Sequence, residues 1–275
     1  LLNKQKTTAD AVLKINDQIS LTDFISKILN KKNENKPKDK IITKNTLQNF
    51  RKLIIFENDV FFVINKPTGL AVQSGTKTEI SVADFLQNGE KLVHRIDKST
   101  SGLLIIAKNR ESADCLSTFF KEKKDMEKIY LAVVFGRFNK QEGQINFPLL
   151  KKIENGIEKV YVDKGGKEAI TLYKVLSYNE KYNLSLVECK ILTGRTHQIR
   201  VHLKELGHPI LGDGKYGGKK AFLSGTERER VSQNMHLHSY KLLLHNFKGE
   251  DYSLKADLPN HFVQTLKRSK LKKIT

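Results

Sequence analysis

One carboxylate is set apart by its neighbours. In His94-Arg95-Ile96-Asp97-Lys98-Ser99-Thr100-Ser101-Gly102, Asp97 lies in a polar, turn-forming run beside an arginine. The apolar strand candidate Leu103-Leu104-Ile105-Ile106-Ala107 follows at once and gives the loop a rigid base. A carboxylate held in this way can act as a nucleophile or a general base. Composition alone favours a plainer reading, an ordinary Asx turn.

A second run, Thr193-Gly194-Arg195-Thr196-His197-Gln198-Ile199-Arg200-Val201-His202-Leu203-Lys204-Glu205-Leu206-Gly207-His208-Pro209, carries the other polar groups. Ile199, Leu203 and Leu206 recur at helical spacing, so a helix is predicted over 196–206. Thr196 is its expected N-cap and Gly207 its C′ residue. Arg, His and Gln side chains then crowd a helix start, where phosphates and base edges are readily met. Only nine of the 49 basic residues are Arg. With Lys the default cation, Arg95, Arg195 and Arg200 point to sites that need the planar, five-donor fork. The bland alternative is a solvated basic helix face. Tyr130, in Lys128-Ile129-Tyr130-Leu131-Ala132-Val133-Val134, shares a strand face with Ala132 and Val134. It reads first as a core aromatic, and otherwise as a phenol beneath a flipped base.

Five of the eight histidines are His197, His202, His208, His236 and His238. Neither an H-E-x-x-H helix nor a cysteine partner accompanies them, so no metal is expected. His236-Leu237-His238 reads as strand with its polar residues on one face. Gly212-Asp213-Gly214-Lys215-Tyr216-Gly217-Gly218 lacks the spacing of a phosphate-binding P-loop and reads as a flexible turn.

The elements that must position these groups are mostly strands. Strands are predicted at 53–56, 60–64, 103–107, 129–135, 170–177, 184–191, 237–244 and 252–256. Helices are predicted at 81–87, 111–121, 196–206 and 261–271. Strands outnumber helices without alternating regularly with them. The expected class is α+β with a largely antiparallel mixed sheet, not a doubly wound nucleotide fold. Ahead of it, residues 7–19 read as short strands and 23–29 as a short helix, and 31–40 (KKNENKPKDK) as a Pro-broken linker.

Charge narrows the partner. The 275 residues carry a formal net charge of +19, which makes a polyanion the first candidate. A 39% hydrophobic composition excludes a disordered basic tail. No apolar run reaches the roughly 18 residues of a membrane span, and no secretory signal core opens the chain. An initial Leu rather than Met reads as a trimmed end. Two cysteines are too few for a disulfide framework, which suits a reducing compartment, the cytoplasm.

Together, HRIDKSTSGLLIIAK, Val63 to Leu70 (VINKPTGL), KIYLAVVFG, TGRTHQIRVHLKELGHPILGD and Lys215-Tyr216-Gly217 resemble, in order, the motifs of the RluA family of pseudouridine synthases. Ile96 stands where the family loop has Leu. The likeness spans about residues 53–258. Gly69 to Gly75 and Phe147 to Lys152 look most like the RluC branch, which acts on large-subunit ribosomal RNA.

The resemblance implies a catalytic domain over 51–275 and a linker with a short helix over 21–50. Residues 1–20 look like the C-terminal remnant of an α-L-type RNA-binding module. It implies an enzyme, a bacterial RNA pseudouridine synthase, acting on ribosomal RNA as a monomer without cofactor or metal. Asp97 matches the catalytic Asp that attacks a flipped uridine, at C1′ or at the base. Tyr130 matches the Tyr that stacks on the base and could remove the C5 proton. Arg200 matches the Arg paired with the Asp, which suits a group that must stay ionised. Arg95 would fill the gap left in the RNA, and Thr100, Arg195, His197 and Gln198 would contact nearby RNA. The alternatives are a non-catalytic RNA-binding or ribosome-assembly protein on the same scaffold and a family member modifying transfer RNA. A nucleoside glycosidase needs a second acid in the loop, and none is evident there.

Overall fold

A computed structural model describes residues 42–74, 80–122, 125–154, 156–223 and 232–272. The strands, helix and linker expected within residues 1–41 lie outside these. Helix α1 (Lys44–Arg51) leads into the hairpin β1 (Ile54–Glu57) and β2 (Phe61–Lys66). After a 3-10 turn at Val82–Phe85 come β3 (Lys91–Leu92), β4 (Ser101–Ala107), α2 (Arg110–Glu122) and β5 (Met126–Phe135). The strands β6 (Glu142–Asn146), β7 (Leu149–Glu154), β8 (Ile157–Val162), β9 (Ile170–Asn179) and β10 (Leu184–Ile191) follow. The chain then forms α3 (Gln198–Glu205), α4 (Gly214–Gly217), β11 (Leu237–Phe247), β12 (Glu250–Lys255) and α5 (Asn260–Arg268).

The fold is α+β, as expected. Its main sheet runs β1-β2-β4-β11-β5-β10-β9-β6, with β12 beside β11 and β3 beside β4. Among the named strands only β4 and β11 pair in parallel, through His238 with Ser101 and Ser239 with Gly102. Strands β7 and β8 form a separate hairpin.

Period-2 alternation explains the apolar strands. Phe61 and Val63 pack with Leu103, Ile105 and Leu116 on one face, while Phe62 and Ile64 pack with Leu104 and Ile106 on the other. A sheet covered on both faces reads as an unbroken hydrophobic run, which is how β2 and β4 appear in the sequence. Tyr130, Ala132 and Val134 share a face, as predicted, and Leu131 and Val133 turn to the opposite core.

Helix α1 falls where only linker was expected. Thr43 caps it by accepting from the Thr46 N–H at 3.2 Å, and Phe50 stacks on Phe85 at 4.5 Å. Burying one such ring contributes about 1.5–3 kcal/mol. Its apolar signal is only Leu47 and Phe50 in a polar octet, too sparse for periodicity to register. The β7–β8 hairpin was also unforeseen. Lys151, Lys152, Glu154 and Ile153 are all exposed, so no apolar alternation marks it.

Gly102 is where the Asp97 loop enters β4. Its φ is +102°, and a Cβ there would lie 2.2 Å from the Ser239 carbonyl oxygen. Glycine alone lets β4 and β11 approach closely enough for their short parallel pairing.

Candidate active site

The Asp97 loop is tied down from behind by the end of β2. Lys66, fully buried, donates its ammonium to the carbonyls of Pro67 (2.9 Å), Leu70 (2.8 Å) and Lys98 (3.2 Å). The Thr68 hydroxyl donates to Ser99 O at 2.7 Å, and the Gly69 N–H to Lys98 O at 2.8 Å. Burial pushes the Lys66 pKa down to about 7, with the nearby Asp97 charge acting the other way. An ammonium carries three protons for three acceptors, so this contact set matches its charged form. Below the loop, the Ser101 hydroxyl and His238 Nδ1 are 2.9 Å apart in the core.

Asp97 faces Arg200 from α3. Arg200 Nη1 donates to Asp97 Oδ2 at 3.0 Å. Its Nε and Nη2 donate to Asp213 Oδ2 and Oδ1, both at 2.8 Å, a two-pronged pair in which each side chain is almost wholly buried. Burial alone would lower the Arg200 pKa, but the two carboxylates outweigh it and hold the guanidinium charged. Asp213 was not among the expected site residues. The polar turn containing it was visible, but nothing local says that residue 213 returns to residue 200. The predicted flexible turn is instead α4, with Asp213 as its N-cap and Tyr216 buried.

His197 sits at the head of α3 in a left-handed conformation, φ 54° and ψ 20°. The helix begins at Gln198, so the cap position belongs to His197 and not to the predicted Thr196. Non-glycine residues in this region are uncommon and concentrate where function demands a particular side-chain direction. Nδ1 of His197 lies 2.6 Å from the Tyr216 hydroxyl, which accepts the Val160 N–H at 3.1 Å. Burial raises the Tyr216 pKa to about 12 and lowers that of His197 to about 4. A protonated phenol donating to Nδ1 leaves the imidazole proton on Nε2, which points toward Asp97 Oδ2 at 3.8 Å.

These groups open on a cavity of about 640 Å³ whose walls include Asp97, Arg200, Tyr130, Ile191, Ile199 and Leu237. Tyr130 is 8% exposed, and burial raises its pKa to about 12, so its phenol is protonated at neutral pH. His94 lines the same space. Its Nε2 accepts the Ile105 N–H at 2.8 Å and its ring stacks on Phe120 at 4.8 Å.

The expected RNA-contacting residues separate. Arg95 is exposed at the mouth, and Arg195 lines the cavity while its Nε donates to Glu168 O at 2.9 Å. Thr100 also lines it but is only 2% exposed, its N–H closing the turn onto Asp97 O at 3.1 Å. Gln198 does not fit the expectation. Its Oε1 accepts from the Thr193 hydroxyl (2.7 Å) and Arg195 N–H (3.0 Å), while Nε2 donates to Ile170 O (2.9 Å) and Thr171 Oγ1 (3.0 Å). It lines the cavity, but at 4% exposure and with its amide committed internally it braces the 193–195 loop.

Three further histidines, His202, His236 and His238, are held inside the fold. His202 bonds Thr171 Oγ1 and Phe147 O, and His236 bonds Thr265 Oγ1. His236 and His238 are fully buried, so their strand face meets core rather than solvent. Among the described residues no cluster of three potential metal ligands occurs, and no helix is long and apolar enough to cross a membrane.

The chain and its mostly antiparallel sheet have counterparts among known proteins. A family model described as RNA pseudouridylate synthase matches residues 60–205. The Ribosomal large subunit pseudouridine synthase C of Rickettsia bellii is 43% identical over 218 residues, covering 76% of this chain and 69% of that protein. Its namesake in Rickettsia conorii is 36% identical over 282 residues, covering 96% and 87%. Among solved structures, Human RNA Pseudouridylate Synthase Domain Containing 4 superposes with a TM-score of 0.69 at 26% identity, covering 83% of this chain and 97% of that one. The chain belongs to the RNA pseudouridylate synthase family, in its RluA branch. Its activity is that of an RNA pseudouridine synthase, an isomerase.

Proposed function

We propose that this enzyme converts particular uridines of large-subunit ribosomal RNA to pseudouridine, with Asp97 acting on a nucleotide flipped out of its stack. The supporting observation is the placement of Asp97 in the cavity wall, with Arg200 at 3.0 Å and Tyr130 in the same wall. The related Rickettsia proteins carry the large-subunit description, which favours that RNA.

The isomerisation breaks the C1′–N1 bond, turns the uracil, and forms C1′–C5; C5 loses a proton and N1 gains one. Asp97 is the nucleophile, at C1′ or at the base. Arg200, fixed by Asp213, aims the carboxylate and leaves the reaction geometry little freedom. Tyr130 offers its ring as a stacking surface. As a neutral phenol it can take the C5 proton only while passing its own onward. The apolar walls around it hold a base more readily than a hydrated phosphate. Arg95, exposed at the mouth, occupies the gap in the RNA stack, and Arg195 contacts the neighbouring backbone.

Asp97→Asn tests the reading. The variant is expected to fold and to bind in vitro-transcribed large-subunit RNA with nearly unchanged affinity, while forming no pseudouridine by carbodiimide primer extension. Turnover retained in this variant would sink the assignment.

A further inference from the structure

We infer that a second cavity, on the far side of Asp97 beside the Gly212–Gly217 turn, receives an RNA backbone phosphate adjoining the flipped uridine. The inference rests on the functional reading above. This cavity, about 380 Å³, shares Arg95, Asp97, His197 and Arg200 with the first, so both spaces open on one carboxylate.

Their walls differ in kind. The first is lined by Tyr130, Phe120, Ile191, Ile199 and Leu237, surfaces that suit a flat ring. The second is lined by Lys98, Ser99, Gly212, Gly214 and Lys215, with Met235 its one apolar side chain among the described residues and no Phe or Tyr. A base would find no phenyl or phenol ring there, and the one imidazole, His197, is tied to the Tyr216 hydroxyl. An anion would find the ammonium groups of Lys98 and Lys215 there, whereas the lysines of the first cavity, Lys121 and Lys128, stand among its aromatic and aliphatic walls.

Charge accounting points the same way. The carboxylates in this wall, Asp97 and Asp213, are both engaged by Arg200. Among the described residues no carboxylate lies within ion-pair distance of Lys98 or Lys215, and the nearby Glu158 carboxylate is paired with Lys151. Lys215 Nζ is steadied by Glu158 O at 2.6 Å, beside the Arg200 guanidinium. Glu158, Asp97 and Asp213 act on Lys215 only from beyond contact distance, so both ammonium groups can still donate to a phosphate beside the Arg200 guanidinium. Gly212 lets the turn approach this closely: with φ +83°, a Cβ there would meet Asn234 O at 2.2 Å. A nucleotide with its base in the first cavity and C1′ at Asp97 carries its sugar–phosphate chain across the shared rim toward these lysines.

The test uses the whole protein and unmodified large-subunit ribosomal RNA transcribed in vitro. Random phosphate ethylation is followed by separation of bound RNA, and pseudouridines are mapped in parallel. In the wild type, ethylation of a phosphate 5′ or 3′ to the modified uridine should block binding, the two positions distinguishing which phosphate is held. In the Lys98→Met/Lys215→Met variant that interference should vanish. KM should rise about tenfold with kcat changed far less, and the salt slope of binding should fall by about one per lysine. Lys98→Met alone touches no observed hydrogen bond, and Lys215→Arg should restore binding, so misfolding cannot mimic the result. Interference unchanged by the substitutions, or a loss in kcat alone, overturns the phosphate subsite. Absence of pseudouridine from the wild type overturns the functional reading, and the subsite with it.

Discussion

Arg200 gives two of its nitrogens to Asp213, at 2.8 Å each, and presents one to Asp97 at 3.0 Å. The Asp97 carboxylate is therefore met by a guanidinium whose plane is already fixed by another acid.

Removing that acid should cost both stability and turnover. Asp213→Asn leaves a buried guanidinium without its bidentate partner, a loss on the order of 3 kcal/mol. Thermal unfolding should move down by roughly 10 °C, and kcat should fall by at least about tenfold as Arg200 loses its orientation. Calorimetry with a single-turnover assay decides it; a variant that melts and turns over like the wild type refutes the clamp.

Tyr216→Phe deletes one oxygen and leaves the ring that Arg200 overlies at 5.0 Å. The His197 Nδ1 loses its 2.6 Å partner, and with it the preference for the Nε2–H form facing Asp97. A drop in kcat of about tenfold is expected for one such hydrogen bond, with the fold retained but less stable by about 1–3 kcal/mol because the buried Val160 N–H loses its acceptor. Unaltered kcat in a well-folded variant means that the His197 orientation does not matter to the reaction.

Gly102→Ala places a methyl 2.2 Å from Ser239 O on a backbone at φ +102°. Either the β4–β11 pairing opens or the strand shifts, and the Asp97 loop moves with it. A loss of at least about 2 kcal/mol is expected in urea unfolding, together with most of the activity. Ordinary stability in this variant contradicts the close-approach argument.

Acid should unfold the protein through its buried histidines. Burial lowers the pKa of His236 to about 3, and of His238 and His197 to about 4, from 6.5 in the open chain. Between those values the unfolded chain binds more protons than the folded one, so stability rises with pH across this window. It is fully present above about pH 6.5 and is lost progressively as pH falls toward 4. Unfolding free energies measured from pH 7.5 to 4.5 should show this slope. A level profile from 6.5 to 5 is incompatible with neutral, buried imidazoles.

Much of the scaffold was legible in the sequence because its signals are local. Strand β10 occupies the predicted 184–191, and α2 differs from its predicted range by one residue at each end. The β7–β8 hairpin and α1 escaped because neither carries enough apolar residues to set a period. Gln198 shows what local reading misses: its polar side chain marked it as a contact residue, and only the fold reveals its burial and four internal hydrogen bonds.

By itself the sequence determined that Asp97 stands in a braced loop ahead of a buried strand, that Tyr130 faces one side of another, and that Arg200 lies one turn into a helix. Those facts follow from turn chemistry and from periods of 2 and 3.6 residues, which are properties of neighbouring positions. Only the tertiary structure decided that Asp97 meets Arg200 across 103 positions of chain, that Asp213 holds that arginine, and that Lys66 ties the loop from beneath. No local periodicity encodes such pairings. They exist because burying the sheet on both faces brings distant loops to one end of it, where each buried charge must find a partner.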